Sequence, residues 1–111
     1  MAQKQFRLSA DQIKSIVPGW GSCYASDMIT IDGRPVGWMY REAPEFKGDT
    51  GWRFFSGDET QEYADDPANF AIYDINTIAN YDPEIVPHLT APPGARFIRE
   101  PRGTALRPDD T

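Results

Sequence analysis

The chain has 111 residues, one cysteine and a formal net charge of −6, and its composition is 40% hydrophobic and 13% aromatic. That length fits one domain able to bury a core without staples, and the aromatic content excludes a disordered chain. Cys23 has no second cysteine to pair with, and the acidic balance argues against nucleic acid as a direct ligand.

No apolar run approaches the roughly 20 residues of a membrane span. Met1 to Leu8 lacks the long apolar segment of a signal peptide. The expectation is a cytoplasmic protein with no membrane partner. The charge is also local: between Glu42 and Asp66 eight acids stand against two bases, Lys47 and Arg53, which accounts for the whole excess.

Taken in order, Ser9-Ala10-Asp11-Gln12 predicts a helix start, with Ser9 as cap and Gln12 completing a capping box. Ile13, Ile16 and Val17 keep one apolar face until Pro18-Gly19, giving a helix of about nine residues that needs tertiary packing to persist. A first strand runs from Trp20 through Cys23 to Ala25. Asp27 to Ile31 reads as a second, with Met28 and Thr30 alternating against Ile29 and Ile31. Asp32-Gly33 is a turn signal, and Val36 to Arg41 reads as the returning strand of a hairpin. On it Val36, Trp38 and Tyr40 share one face.

Glu42 to Thr50 is a polar loop. It leads to the aromatic run Trp52-Arg53-Phe54-Phe55, bracketed by Gly51 and Gly57 and expected to lie antiparallel to the Trp38 strand. Asp58 to Ala64 predicts a helical turn with acids at its N-terminus, where the helix dipole favours them. Asp66-Pro67 is a break, Phe70 to Tyr73 a strand, and Ile75 to Asn80 a helical turn or loop. Asp82-Pro83 opens another turn, with Asp82 as cap and Pro83 in the first position. Ala95 to Arg99 is a last strand. The expected fold class is α+β, with a mainly antiparallel sheet, a short N-terminal helix and short helical turns after the central strands. The expected organisation is one domain over residues 1–100 and a disordered tail over 101–111.

The candidate binding residues are Asp58, Glu59, Glu62, Tyr63, Asp65 and Asp66. Asp58 and Glu62 stand four apart on the expected helical turn, a repulsive pair unless a cation or a basic partner is near, and a partner's Lys or Arg would satisfy it. Tyr63 or Phe70 would add an apolar anchor. The acids show no EF-hand spacing, and no His or Cys joins them, so no metal is expected. Arg53 should face away from Trp52 and Phe54 and pair with Glu42, Asp58 or another nearby acid. Asn76, Thr77, Asn80, Tyr81 and Asp82 are expected to bond loop backbone. Cys23 reads as a buried thiol without a base. No phosphate loop, nucleophile elbow, zincin motif or C-x-x-C pair is present, so neither catalytic residues nor a cofactor are expected.

Three stretches carry a resemblance: Gly37-Trp38-Met39-Tyr40-Arg41-Glu42, Gly51 to Glu59, and Ile72 to Pro83 with its core Tyr73-Asp74-Ile75-Asn76-Thr77-Ile78. Together they resemble a bacterial family first catalogued as a domain of unknown function and later counted, as number thirty-three, among the predicted immunity proteins of polymorphic toxin systems. The resemblance extends from Cys23 to Arg99. It implies an α+β fold and a cytoplasmic protein that neutralises a toxin by binding it, and it implies no catalytic residues. The leading expectation is therefore an immunity-type binding protein whose acidic region docks a basic protein toxin. Two other readings stay open: a small enzyme or ligand-binding domain with a carboxylate-lined cleft, and an oligomeric structural protein.

Overall fold

The computed structural model describes residues 4–100 and 103–109. Its centre is a six-stranded mixed sheet in the order β4-β1-β3-β2-β5-β6. The strands are β1 (Ser22–Ser26), β2 (Trp38–Arg41), β3 (Asp49–Phe55), β4 (Phe70–Asp74), β5 (Arg96–Ile98) and β6 (Arg107–Pro108). Only β1 and β3 run parallel; the other neighbours are antiparallel. Short helices complete an α+β fold: α1 (Asp27–Thr30), α2 (Gln61–Ala64) and α3 (Ile75–Tyr81), with 3-10 turns at Ala10–Gln12, Pro67–Asn69 and Pro83–His88. Among the described residues no helix is long and apolar enough to cross a membrane.

Register assigns the two faces of the sheet. Ala25, Phe54, Met39 and Phe97 stand opposite one another across β1, β3, β2 and β5, and residues directly opposite share a face. Trp52 and Cys23 follow at spacing two. This face packs against Ile29 of α1, Ile75, Ile78 and Ala79 of α3, and Ile85 and Leu89 beyond it, all fully buried. The Trp52 indole N–H donates to the Leu89 carbonyl at 3.2 Å, so its polar atom is satisfied inside the core.

The opposite face carries Tyr24, Arg53 and Tyr40 in one row and Phe55 and Trp38 in the next. Trp38 lies 4.9 Å from Tyr40 and 5.2 Å from Phe55, ring centre to ring centre. Here the aromatic rings are only half-buried. The expected antiparallel pairing of the Trp38 and Trp52 strands is observed, with Tyr40 opposite Arg53.

Two local readings are corrected. Asp27 to Ile31 is a helix and not a strand, and the Asp32-Gly33 turn therefore closes no hairpin. The Ser26 side chain accepts the Met28 amide and caps α1, so a local hydrogen bond overrides the alternating pattern. The strand that follows Gly33 pairs with β3 and β5 instead. The N-terminal helix is also shorter than expected. The Ser9–Gln12 capping box forms, but the helix is one 3-10 turn, and Ile13 is extended. Asn76 and Asn80 explain the arrest. The Asn76 carboxamide oxygen accepts the Ile16 and Val17 amides at 2.7 and 2.9 Å, and that of Asn80 accepts the Lys14 amide at 2.8 Å. Both carboxamide N–H groups donate to the Lys14 carbonyl. Those contacts take the backbone groups a longer helix would have paired internally. They are also the loop-backbone role expected of these asparagines.

Of the C-terminal stretch expected to be disordered, residues 101, 102, 110 and 111 lie outside the described residues, while 103–109 pack. Leu106 is buried in the core, and Arg107 and Pro108 pair with Ile98 and Phe97. The Asp109 amide donates to the Arg96 carbonyl, and the Arg99 side chain donates to the Thr104 carbonyl, so hydrogen bonds as well as Leu106 seat this segment.

Candidate functional site

The acidic stretch after β3 does not form one converging cluster. Asp58 turns to Arg34 in a 2.8 Å ion pair, tying the turn after α1 to the end of β3. Glu59 folds back on its own turn and accepts the Ser56 amide, the Ser56 hydroxyl and the Gly57 amide at 2.8, 3.0 and 2.9 Å. Burial pushes its carboxyl up, but bonds from the Ser26 hydroxyl and from Ser56 outweigh this and hold it below its ordinary value. Asp58 and Glu59 thus serve the fold locally.

The other acids point outward. Thr60 caps α2 by accepting the Tyr63 amide. Glu62, Asp65 and Asp66 are exposed on and just after this helix. Asp65 accepts from the Gln61 side chain at 2.7 Å, and Asp66 caps the following 3-10 turn through the Ala68 amide at 2.9 Å. Glu62 makes no hydrogen bond or ion pair among the described residues. Tyr63 is half-buried, its ring edge-on to Phe70 at 6.1 Å, and burial raises its hydroxyl pKa. Among the described residues no group of three or more His, Cys, Asp or Glu is placed to hold a metal ion.

The charge of the 42–66 window has a second seat, on the half-buried sheet face. Arg53 is almost wholly buried there. Its guanidinium donates two bonds to Asp49, at 2.9 and 2.8 Å, and one to Glu42 at 2.6 Å. Burial alone would lower the Arg53 pKa, but these bonds raise it. In return the guanidinium holds the Asp49 carboxyl well below the usual carboxylate range. Asp49 also accepts the Glu45 and Gly51 amides, both at 2.9 Å, and so pins both ends of the loop that enters β3. The Arg53 guanidinium sits over the Tyr24 ring, 4.7 Å from its centre.

Above this pair lies a cleft of about 470 Å³. Tyr24, Tyr40, Phe55 and Phe70 form its walls, and Glu42 and Glu45 stand on one rim. Ala64 and Pro67 bring α2 and its exposed acids to the other rim. The Glu45 side chain is exposed and makes no bond among the described residues. The Tyr40 and Phe55 rings are nearly parallel, 6.0 Å apart. Burial, then Glu42, pushes the Tyr40 hydroxyl pKa up.

A larger cleft of about 750 Å³ lies past the other end of β3, where Arg34, Asp58, Arg99 and Arg107 reach its walls. Its arginines are engaged within the fold. Arg34 pairs with Asp58 and Arg99 with the buried Asp82 at 2.7 Å. The Arg107 side chain donates to the Glu100 carbonyl.

Of the six sequence-predicted residues, then, Asp58 lines the larger cleft and Glu59 closes a turn. Glu62, Asp65 and Asp66 form an exposed acidic edge, and Tyr63 packs beneath it. Sequence reasoning did not find Tyr24, Glu45 and Asp49 as parts of a shared site. A lone arginine in an aromatic strand was the available signal, and it pointed to an ion pair without revealing which loop would supply the second carboxylate. Cys23 is buried, donates to the Tyr73 carbonyl at 3.4 Å, and has its thiol pKa pushed well up by burial, the state of an unreactive core thiol. His88 lies against the Phe97 ring, 4.2 Å between centres.

No curated protein and no solved structure gives a significant match to the chain. The family described as Immunity protein Imm33 domain matches residues 23–108, from β1 to the end of β6. That span holds all of the sheet but its first residue, Ser22, together with the acidic edge and the Arg53 site, and the chain belongs to this family of immunity proteins.

Proposed function

We propose that this protein neutralises a bacterial toxin by binding it in the cytoplasm, without catalysis, and that an acidic surface centred on α2 docks a basic region of the toxin. Membership of the immunity family supports an immunity-type role with a toxin as partner. The exposed edge of Glu62, Asp65 and Asp66 above Tyr63 supports the acidic docking surface. These carboxylates are already clear of the sheet, so a cationic surface meets them without breaking core contacts. Asp58 and Glu59 contribute by holding the turn that presents them. A negative surface of this kind raises association rates for a basic partner and is screened by salt. The buried thiol of Cys23 and the absence of any disulfide suit a reducing compartment.

The test is co-expression with candidate toxins from the same bacterium, followed by affinity capture at about 50 mM and about 300 mM salt. Rescue of growth with capture that weakens at the higher salt supports the reading. Exchange of Glu62, Asp65 and Asp66 for lysine should reduce capture at least about tenfold. Unchanged rescue and capture by that variant would remove the α2 edge from the mechanism, and failure of the unaltered protein to rescue would remove the inhibitor role.

A further inference from the structure

The exposed α2 acids do not explain why the neighbouring sheet face is left half-open. That face is aromatic, whereas its rims carry carboxylates, and the combination defines a narrower chemistry than an acidic surface. The geometry points to the cleft between β2, β3 and α2 as a receptor for an arginine side chain presented on a loop of the partner protein. Tyr40 and Phe55 would take the guanidinium plane, and Glu45 would accept its N–H groups. This deepens the proposed inhibitory role and rests on it for the identity of the partner.

The observations converge from independent directions. The walls are rings whose faces attract cations. Tyr40 and Phe55 are nearly parallel, and Tyr24, which also lines the cleft, already holds the guanidinium of Arg53 on its face at 4.7 Å. The same aromatic surface thus accommodates this group within the fold. Arg53 does not make the cleft repel a second cation, because Asp49 and Glu42 together overcompensate it and Glu45 adds a further negative charge. Lys47, the base of the same loop, does not line the cleft. Glu45 has an exposed, unengaged carboxylate on the rim. The volume of about 470 Å³ admits a side chain with part of its backbone but not a helix. A flat, delocalised, weakly hydrated cation can lie on ring faces and offer a carboxylate a fork of N–H groups, which the ammonium of lysine cannot.

The probes are capped tripeptides Gly-Arg-Gly, Gly-Lys-Gly and Gly-citrulline-Gly, the last being the neutral isostere of the first. They are titrated into the full-length protein at low ionic strength, with backbone amide and aromatic ring resonances followed by NMR. The expected result is saturable shifts of the Tyr24, Tyr40 and Phe55 rings and of the Glu45 amide, with the arginine peptide at least about threefold tighter than the citrulline peptide and tighter than the lysine peptide. Glu45→Gln, a change at an exposed site, should bring the arginine affinity down towards that of citrulline, and Tyr40→Leu should weaken both. Equal affinity for arginine and citrulline, or shifts confined to the outer face of α2, would overturn the inference. So would ring shifts that depend on protein concentration without peptide, which would assign the cleft to a second copy of the chain. The experiment needs no toxin, so its failure leaves the inhibitor reading standing, and failure of toxin capture leaves this result unaffected.

Discussion

Asp49→Asn probes the buried carboxylate that holds Arg53 and the loop entering β3, because it keeps the side-chain volume and removes the charge. Asp49 is the best-buried partner of Arg53: its side chain is fully covered, whereas that of Glu42 is 42% exposed. Removing one partner of a buried pair costs about 3–5 kcal/mol, since the remaining charge is left without compensation. Glu42 stays on Arg53 at 2.6 Å and retains part of that compensation, which places the loss near the lower end, about 3 kcal/mol. The asparagine also offers one acceptor where the carboxylate offers two, so the bonds to the Glu45 and Gly51 amides and to Arg53 cannot all persist. Glu42→Gln, at a solvent-screened position, should cost at most about 1 kcal/mol. Urea unfolding at neutral pH, followed by tryptophan fluorescence, measures both. In a thermal melt the Asp49 variant should lose roughly 15 °C.

The same variant makes a prediction about pH. The Asp49 carboxyl titrates below its ordinary value in the folded protein. Its contribution is therefore complete above the unfolded-state pKa of about 4 and disappears as the pH falls towards the folded-state value. Unaltered protein should lose stability progressively from about pH 5 downward, and the gap between it and Asp49→Asn should narrow over the same range. If the two substitutions cost the same at neutral pH, or the gap does not narrow in acid, the buried pair does not hold the entry to β3.

Other outcomes follow from single contacts. Gly51 has φ +88, and a Cβ there would meet the Glu42 carbonyl, so Gly51→Ala should destabilise by roughly 2–4 kcal/mol in urea unfolding, and by more than Gly94→Ala, where φ is +96 and the same backbone strain applies but a Cβ meets nothing. Asn76→Ala removes the acceptor of the Ile16 and Val17 amides, and hydrogen exchange at those two amides should accelerate by at least about tenfold while β3 amides stay protected. Leu106→Ala should cost about 2–3 kcal/mol if the C-terminal segment is seated in the core, and less than about 0.5 kcal/mol if it is not.

What the sequence revealed and what it concealed divide along the range of the forces involved. The alternation through Trp52, Arg53, Phe54 and Phe55 identified β3, the Asp82-Pro83 pair identified a capped turn, and the Ser9–Gln12 box formed as expected, because each is a property of a few adjacent residues. Asp27 to Ile31 misled because its alternation is as compatible with a strand as its Ser26 cap is with a helix, and the cap prevailed. The N-terminal helix stopped short because Asn76 and Asn80, some sixty residues away in sequence, compete for its backbone, which no local pattern reveals. The acidic stretch was visible as a stretch, but its division into turn-forming Asp58 and Glu59 and outward Glu62, Asp65 and Asp66 depends on Arg34 and Ser56. The Arg53 site needed the register of β1, β2 and β3 before Tyr24, Tyr40 and Glu42 could be placed around it.

The position of β3 also sets the timing of assembly. Both of its neighbours precede it in the chain, yet they do not touch each other in the sheet order. A nascent chain that has reached Gly48 carries two strands with nothing to pair against, and the next seven residues supply the partner for both. Ser22 must then find Asp49 across a long excursion, a closure whose entropy favours millisecond-to-second folding over the microseconds of local helices. The chain thus has no stable half: the three central strands cannot pair before Phe55 is available, and their core face is covered only when α3, Ile85 and Leu89 follow.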